Sequence, residues 1–111
     1  MKRVMWIEDK GCGLYGPTRI GWAEVKYRGK RIDYNGRTFK SVRGYKYNYC
    51  DIESGDRYWI TGCRKDGRNA LYATDVVIDE GALKEYWLNI RKLPESAGVK
   101  AFRARGKYNK N

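Results

Sequence analysis

Histidine is absent from this 111-residue chain, and with it the side chain most used for proton transfer near neutrality and the commonest metal ligand. Catalysis and a metal or other cofactor are therefore not expected, and the chain reads as a binding protein. Cysteine is scarce: Cys12, Cys50 and Cys63 include no CxxC pair and are too few for a disulfide framework. They read as reduced thiols in a cytoplasmic protein. No apolar run approaches the roughly 20 residues needed to span a bilayer, and "MKRVMWIEDKG" carries acids where a signal peptide needs an apolar stretch. A soluble protein is expected, not one exported by that route.

What the chain has in excess is positive charge. Its 24 Lys and Arg against 13 Asp and Glu give a net charge of +11, enough to attract polyanions or acidic proteins. The excess is uneven. Residues 17–47 carry nine cations and two acids, and residues 96–111 five cations and no acid, whereas residues 48–95 carry seven cations and nine acids. A plain solvated surface would interleave the signs, although a basic end can also serve solubility alone.

The pattern of the chain is mostly β. Arg3 to Asp9 reads as a strand, followed by a glycine-rich turn that ends at Pro17. Thr18 to Arg28 reads as a longer strand whose apolar parity changes near Gly21, which suggests a bulge there. Asn35-Gly36 between two alternating runs demands a two-residue type I′ turn. By counting, Tyr34 then faces Arg37, Asp33 faces Thr38, Ile32 faces Phe39 and Arg31 faces Lys40. A second hairpin joins Tyr45 to Glu53 with Arg57 to Cys63 around Ser54-Gly55. An odd, Gly-bulged loop gives it the cleaner apolar face and places Tyr47 and Tyr49 with Trp59; an even loop would pair Cys50 with Trp59. A turn at Asp66-Gly67 and one or two short strands ending near Ile78 follow.

At Asp79 the period changes to that of a helix. Leu83, Tyr86, Trp87, Ile90 and Leu93 recur at helical spacing, Asp79 can cap the start, and Pro94 ends the run. These elements predict one domain over 1–94, a small, strongly bent SH3-like barrel with an amphipathic helix over 79–93, an OB-like barrel being the alternative. Residues 95–111 read as a basic, flexible tail.

Three segments, "GLYGPTRIGWAEV", "YNGRTFKSVRGYKYNYCDIESGDRYWITGCRKDGRNALY" and "VVIDEGALKEYWLNIRKLP", together resemble a family of short uncharacterised bacterial proteins often mislabelled 1-deoxy-D-xylulose-5-phosphate synthase. The resemblance covers roughly residues 5 to 93 and implies a bacterial, cytosolic source. It does not carry the labelled activity. That synthase resembles thiamine-diphosphate enzymes several times longer, with a GDG…N metal-diphosphate motif, whereas "KDG" at Lys65 to Gly67 here is explained by a hairpin turn.

Two clusters are candidate contacts for an anionic partner. The first is basic: Lys26, Arg28, Lys30, Arg31, Arg37, Lys40, Arg43 and Lys46, where the like-charge pair of Arg31 and Lys40 costs a few tenths of a kcal/mol unless an anion relieves it. A charged edge that discourages aggregation explains lysines here better than arginines. The second is aromatic: Tyr47, Tyr49 and Trp59 beside cations offer stacking faces to unpaired bases, at about 1–3 kcal/mol per base. The bland alternative for these rings is core packing. In the tail, Lys100, Arg103, Arg105 and Lys107 are the cations to watch. Cys12, in a "GCG" turn with no base nearby, reads as a plain loop thiol rather than a nucleophile. Asp51, Glu53 and Asp56 read as shaping a turn rather than binding metal. The expected partner is thus RNA or DNA, held through backbone charge. The alternative is an acidic protein docked by an interaction module, for instance in bacterial conflict or immunity systems.

Overall fold

The computed structural model describes residues 1–11 and 17–108, and within them the protein is mostly β. Eight strands run β1 (Lys2–Asp9), β2 (Thr18–Lys26), β3 (Arg31–Tyr34), β4 (Arg37–Ser41), β5 (Tyr49–Asp51), β6 (Arg57–Gly62), β7 (Thr74–Ile78) and β8 (Ala101–Ala104). The first six pair antiparallel in the spatial order β1-β6-β5-β4-β3-β2. The pairing of β2 with β1 closes the ring, so the core of the fold is a six-stranded antiparallel barrel of the small SH3- or OB-like kind. Strand β7 adds to the free edge of β2 in parallel, and β8 lies antiparallel on β7.

Both faces of β1 are covered, which explains its unbroken run "VMWI". Met5 and Ile7 point into the barrel with Ala23, Ile32, Tyr34, Phe39, Tyr58 and Ile60. Val4 and Trp6 point outward, into a second core with Ile20, Val76, Ile78, Tyr86 and Trp87. The parity change in β2 has the same cause: Ile20 serves the outer core and Ala23 the inner one. No residue is skipped where β1 pairs with β2, so the bulge expected at Gly21 is absent. Glycine is required there for another reason. A Cβ at Gly21 would meet Asp79 Oδ2 at 2.2 Å and the Tyr34 ring at 2.7 Å.

The first hairpin has the predicted register: Arg31 faces Lys40, Ile32 faces Phe39, Asp33 faces Thr38 and Tyr34 faces Arg37. Asn35 and Gly36 both have positive φ, 50° and 78°, as a type I′ turn requires. The second hairpin departs from the expected odd loop. Tyr49 pairs with Tyr58 and Cys50 with Arg57, and the loop between Asp51 and Asp56 has even parity. Asp51 closes this turn without a bulge. Its carboxylate accepts the N–H groups of Glu53 and Ser54 at 2.9 and 3.4 Å, and its carbonyl accepts that of Gly55 at 2.8 Å. Tyr49 consequently faces the barrel interior, where its hydroxyl donates to the carbonyl of Gly29 at 2.5 Å.

The expected helix forms, in a wider shape. A 3-10 turn at Glu80–Ala82 leads into a π-helix at Glu85–Ile90, closed by the Arg91 N–H on the Tyr86 carbonyl at 2.8 Å. The widened turn lets the neighbours Tyr86 and Trp87 both pack into the outer core, at 0% and 5% exposure. Asp79 does not cap with its side chain; its carboxylate instead accepts from Arg19 and from the Tyr34 hydroxyl, each at 2.5 Å. That contact pins the start of the helical segment to the barrel.

Residues 95–108, expected as a flexible tail, are placed against the barrel. They supply a 3-10 turn at Pro94–Ser96 and then β8, because β7 offers an unpaired edge and Phe102 and Ala104 alternate toward the outer core. Beyond β8 the N–H groups of Lys107 and Tyr108 donate to the carbonyls of Ala70 and Leu71, both at 2.9 Å. No helix among the described residues is long and apolar enough to cross a membrane.

Candidate functional site

The cations expected to act together divide between several places. Strand pairing puts Lys26, Arg31, Lys40, Cys50 and Arg57 in one row across β2, β3, β4, β5 and β6. Their inward neighbours Val25, Ile32, Phe39, Tyr49 and Tyr58 belong to the barrel core, so the row lies on the outer surface. Part of its charge is already answered. Asp33 Oδ2 lies 3.1 Å from Lys26 Nζ, and Asp33 Oδ1 lies 3.1 Å from Arg31 Nε. The Thr38 hydroxyl, then Arg31 and Lys26, hold the Asp33 carboxyl at about 2, well below the usual range.

The other basic candidates do not converge on this row. Arg37 turns to the mouth of the barrel and pairs with Asp51 at 2.8 Å, which raises the pKa of its guanidinium. Arg28 and Lys30 lie in the loop between β2 and β3, and Arg43 is exposed beyond β4. In the last segment Lys100 pairs with Glu80 and Arg103 with Asp75, at 3.1 and 3.0 Å. The stacking trio separates too. Tyr49 is inside the barrel, Trp59 packs on the outer core, and the Tyr47 ring lies 4.8 Å from the Arg57 guanidinium. The even hairpin loop is the reason, since it moves Tyr49 to the face opposite Trp59. Cys12 lies outside the described residues. Cys63 is an inert thiol, pushed up to about 12 by burial.

Cations converge instead in a groove of about 680 Å³ lined by Arg64, Arg68, Arg91, Arg105 and Lys107, with Asp66 the one carboxylate among its lining residues. Three distant segments build it. The first is the tight turn after β6. There Asp66 accepts the Arg68 N–H at 2.9 Å and both Nε and Nη2 of Arg64, at 3.2 and 3.3 Å. These donors, Arg64 first, lower the pKa of Asp66. Asn69 ties the turn to β6 by donating to Thr61 Oγ1 and the Gly62 carbonyl, each at 2.8 Å.

The second segment is the end of the π-helix, where Arg91 reaches over the turn and donates to the Lys65 carbonyl at 3.0 Å. It needs Gly67: that residue has φ 73°, and a Cβ there would stand 2.4 Å from Arg91 Nη1. The third is the stretch just after β8 that carries Arg105 and Lys107. Its docking strip, residues 70–71, is held from below by a buried pair. Glu8 Oε1 accepts the Trp6 indole N–H at 2.7 Å and the Leu71 N–H at 3.3 Å, while Glu8 Oε2 meets Lys10 Nζ at 2.5 Å. A smaller pocket of about 270 Å³ shares Arg64, Arg68 and Lys107 with the groove and extends it to Trp59 and Thr61 on β6.

Aromatic rings do stand beside cations next to this groove, with different members. Lys46 Nζ lies 4.6, 4.7 and 4.8 Å from the ring centres of Tyr45, Tyr72 and Tyr108, and it donates to the Tyr72 hydroxyl. That hydroxyl is the chief cause of the raised Lys46 pKa. Tyr45 is 81% exposed and Tyr108 46%, so both retain open ring surface. Of the predicted site, then, Lys46, Trp59, Arg105 and Lys107 fall at or beside the groove.

Three of the four groove arginines escaped the sequence reading because Arg64, Arg68 and Arg91 sit in the segment where acids outnumber bases. Only the Asp66-Gly67 turn signal marked their neighbourhood. A third pocket, of about 200 Å³ at the barrel mouth, contains Arg19 and Arg37. Each is already matched by a carboxylate, Asp79 and Asp51, and so has less attraction left for an anion. Compared with protein-family models, with curated proteins and with solved structures, the chain finds no match.

Proposed function

We propose that this protein is a small nucleic-acid-binding module that holds the phosphate backbone of RNA or DNA in the groove between the turn at 64–68 and residues 105–107. The observation that carries this reading is the imbalance of charge there: five cations against one carboxylate, in one concavity. Concave walls of low dielectric focus such a field and raise the local concentration of a polyanion. Four of the five are arginines, whose planar forks match phosphate oxygens two at a time. Exposed tyrosines at the margin add stacking surface for bases.

The module binds rather than transforms its partner, with no metal or cofactor in its part. A bacterial, cytosolic setting, as the family resemblance implies, supplies abundant RNA and DNA. Fluorescence anisotropy with a labelled mixed-sequence oligonucleotide at low salt tests the reading. Binding is expected, with log affinity falling linearly against log salt by several units. Replacing Arg68→Glu and Arg105→Glu together is expected to weaken binding by about 100-fold or more. Both side chains are exposed, so a thermal melt near that of the parent protein will show that the fold survives. Absence of binding to every oligonucleotide would transfer the groove to an acidic protein partner, found by pull-down from a nuclease-treated lysate.

A further inference from the structure

The groove does not end at its own rim. Outward positions alternate along β6 as Arg57, Trp59 and Thr61, while Tyr58 and Ile60 fill the barrel. Trp59 and Thr61 line the extension of the groove, and Arg57 is the last member of the cross-strand row. The outer face of one strand therefore joins the two cationic surfaces. Along the row, Lys40 follows Arg57 across β5, and among the described residues neither takes part in an ion pair. Lys26 and Arg31 come next but share Asp33. From Thr61 to Arg57 the path runs about 13 Å at ~3.3 Å per residue, and from Arg57 to Lys26 roughly 19 Å at ~4.8 Å per strand.

The shape of this path selects the ligand. A double helix is stiff over about 150 base pairs, so it touches the convex side of so small a barrel, in a molecule only 38 × 35 × 19 Å across, along no more than a tangent. A single strand can enter the groove and then bend around the sheet. Tyr45 and Tyr108, exposed near the start of the path, offer stacking surface to unpaired bases, which a duplex keeps stacked on one another.

Resting on the nucleic-acid reading above, we infer that the ligand is a single polynucleotide strand that lies in the groove at Arg64 and Arg68, follows β6 to Arg57 and crosses β5 to Lys40. The footprint falls within the range of about 4–16 nucleotides that small barrels cover. Asp33 marks where the attraction weakens.

The test uses the full chain and labelled oligo-uridylate and oligo-thymidylate of rising length, with a duplex of mixed sequence beside its own single strand. Affinity is expected to climb with length and level off at about 6–10 nucleotides. The duplex is expected to bind at least about tenfold more weakly than the single strand, because it reaches fewer of the cations. The double variant Lys40→Glu with Arg57→Glu is expected to lower affinity about tenfold for long strands and to leave strands of about three or four nucleotides, held by the groove alone, unchanged. The two homopolymers separate RNA from DNA preference. A duplex that binds as tightly as the single strand, a plateau already at the shortest length, or an equal loss for short and long strands would overturn the path. The groove reading would survive each of these as long as Arg68→Glu with Arg105→Glu still weakens binding by about 100-fold. Failure of every oligonucleotide to bind would end both.

Discussion

The cross-strand row and the groove carry a similar number of cations and hold them differently. In the row, Lys26 and Arg31 share Asp33 within one hairpin neighbourhood, and Thr38 helps keep that carboxylate ionised. In the groove, residues 64–68, Arg91 and residues 105–107 arrive from separate parts of the chain, and Asp66 engages chiefly Arg64. Charges adjacent in a hairpin are easily matched by a local acid, which is what a stable sheet surface requires. Charges gathered by folding outnumber the one local acid, Asp66, and add into one field. The groove therefore concentrates the larger unmatched positive charge, although the row is denser in the sequence.

Five measurements probe this contrast and the scaffold beneath it, beginning with the largest expected effect. The Arg68→Glu and Arg105→Glu double variant should weaken oligonucleotide binding by about 100-fold, whereas Lys26→Glu with Arg31→Glu should cost less than about threefold. Equal losses in anisotropy titrations would erase the distinction between the two surfaces. Next, Gly67→Ala forces a methyl group toward Arg91 at a positive φ. It should destabilise the protein by about 1 kcal/mol, read from the denaturation midpoint, and weaken binding roughly fivefold by displacing one groove arginine.

Asp33→Asn works in the opposite direction. With the carboxylate gone, the row becomes more positive, and long single strands should bind about two- to threefold tighter at low salt and no tighter at high salt. An unchanged titration at low salt would mean that no strand reaches this part of the barrel. Binding through the groove should also stay level as pH falls from 7 to about 5, because the donors around Asp66, Arg64 first, hold its carboxyl below the usual carboxylate range and keep it ionised.

The smallest effect concerns the scaffold. Burial, reinforced by Asp79, pushes the Tyr34 hydroxyl up to about 12. A group raised in the folded state stabilises fully below its ordinary value near 10, and that contribution is lost as pH rises through about 12. Tyr34→Phe should lower stability by about 1 kcal/mol at neutral pH through loss of the hydrogen bond to Asp79. It should also show a shallower alkaline decline than the parent in urea titrations.

Much of the barrel could be read from the chain because its signals are local. Asn35-Gly36 can hardly do other than turn with both φ positive, and the register of Ile32 against Phe39 follows by counting. The stripe from Leu83 to Leu93 marked a helical element, though not its π-helical width, which the packing of Tyr86 beside Trp87 demands. The register of the second hairpin was lost for a specific reason. Asp51 can close its turn with either parity of loop, and it is the inward packing of Tyr49 with Tyr58 and Ile60 that selects the even one. Residues 95–108 lacked a period because a four-residue edge strand is too short to display one.

From composition and spacing alone came the mostly β character, the first hairpin to the residue, the amphipathic segment and the sign of the charge. Each depends on neighbours a few positions apart, or on no position at all. Where the charge collects is a different kind of property. Arg64, Arg91 and Arg105 meet because β8 pairs with β7, residues 107–108 bond to 70–71, and the π-helix turns Arg91 over Gly67. Contacts between residues tens of positions apart depend on how a closed barrel disposes of its edges, and no pattern within any one segment encodes them.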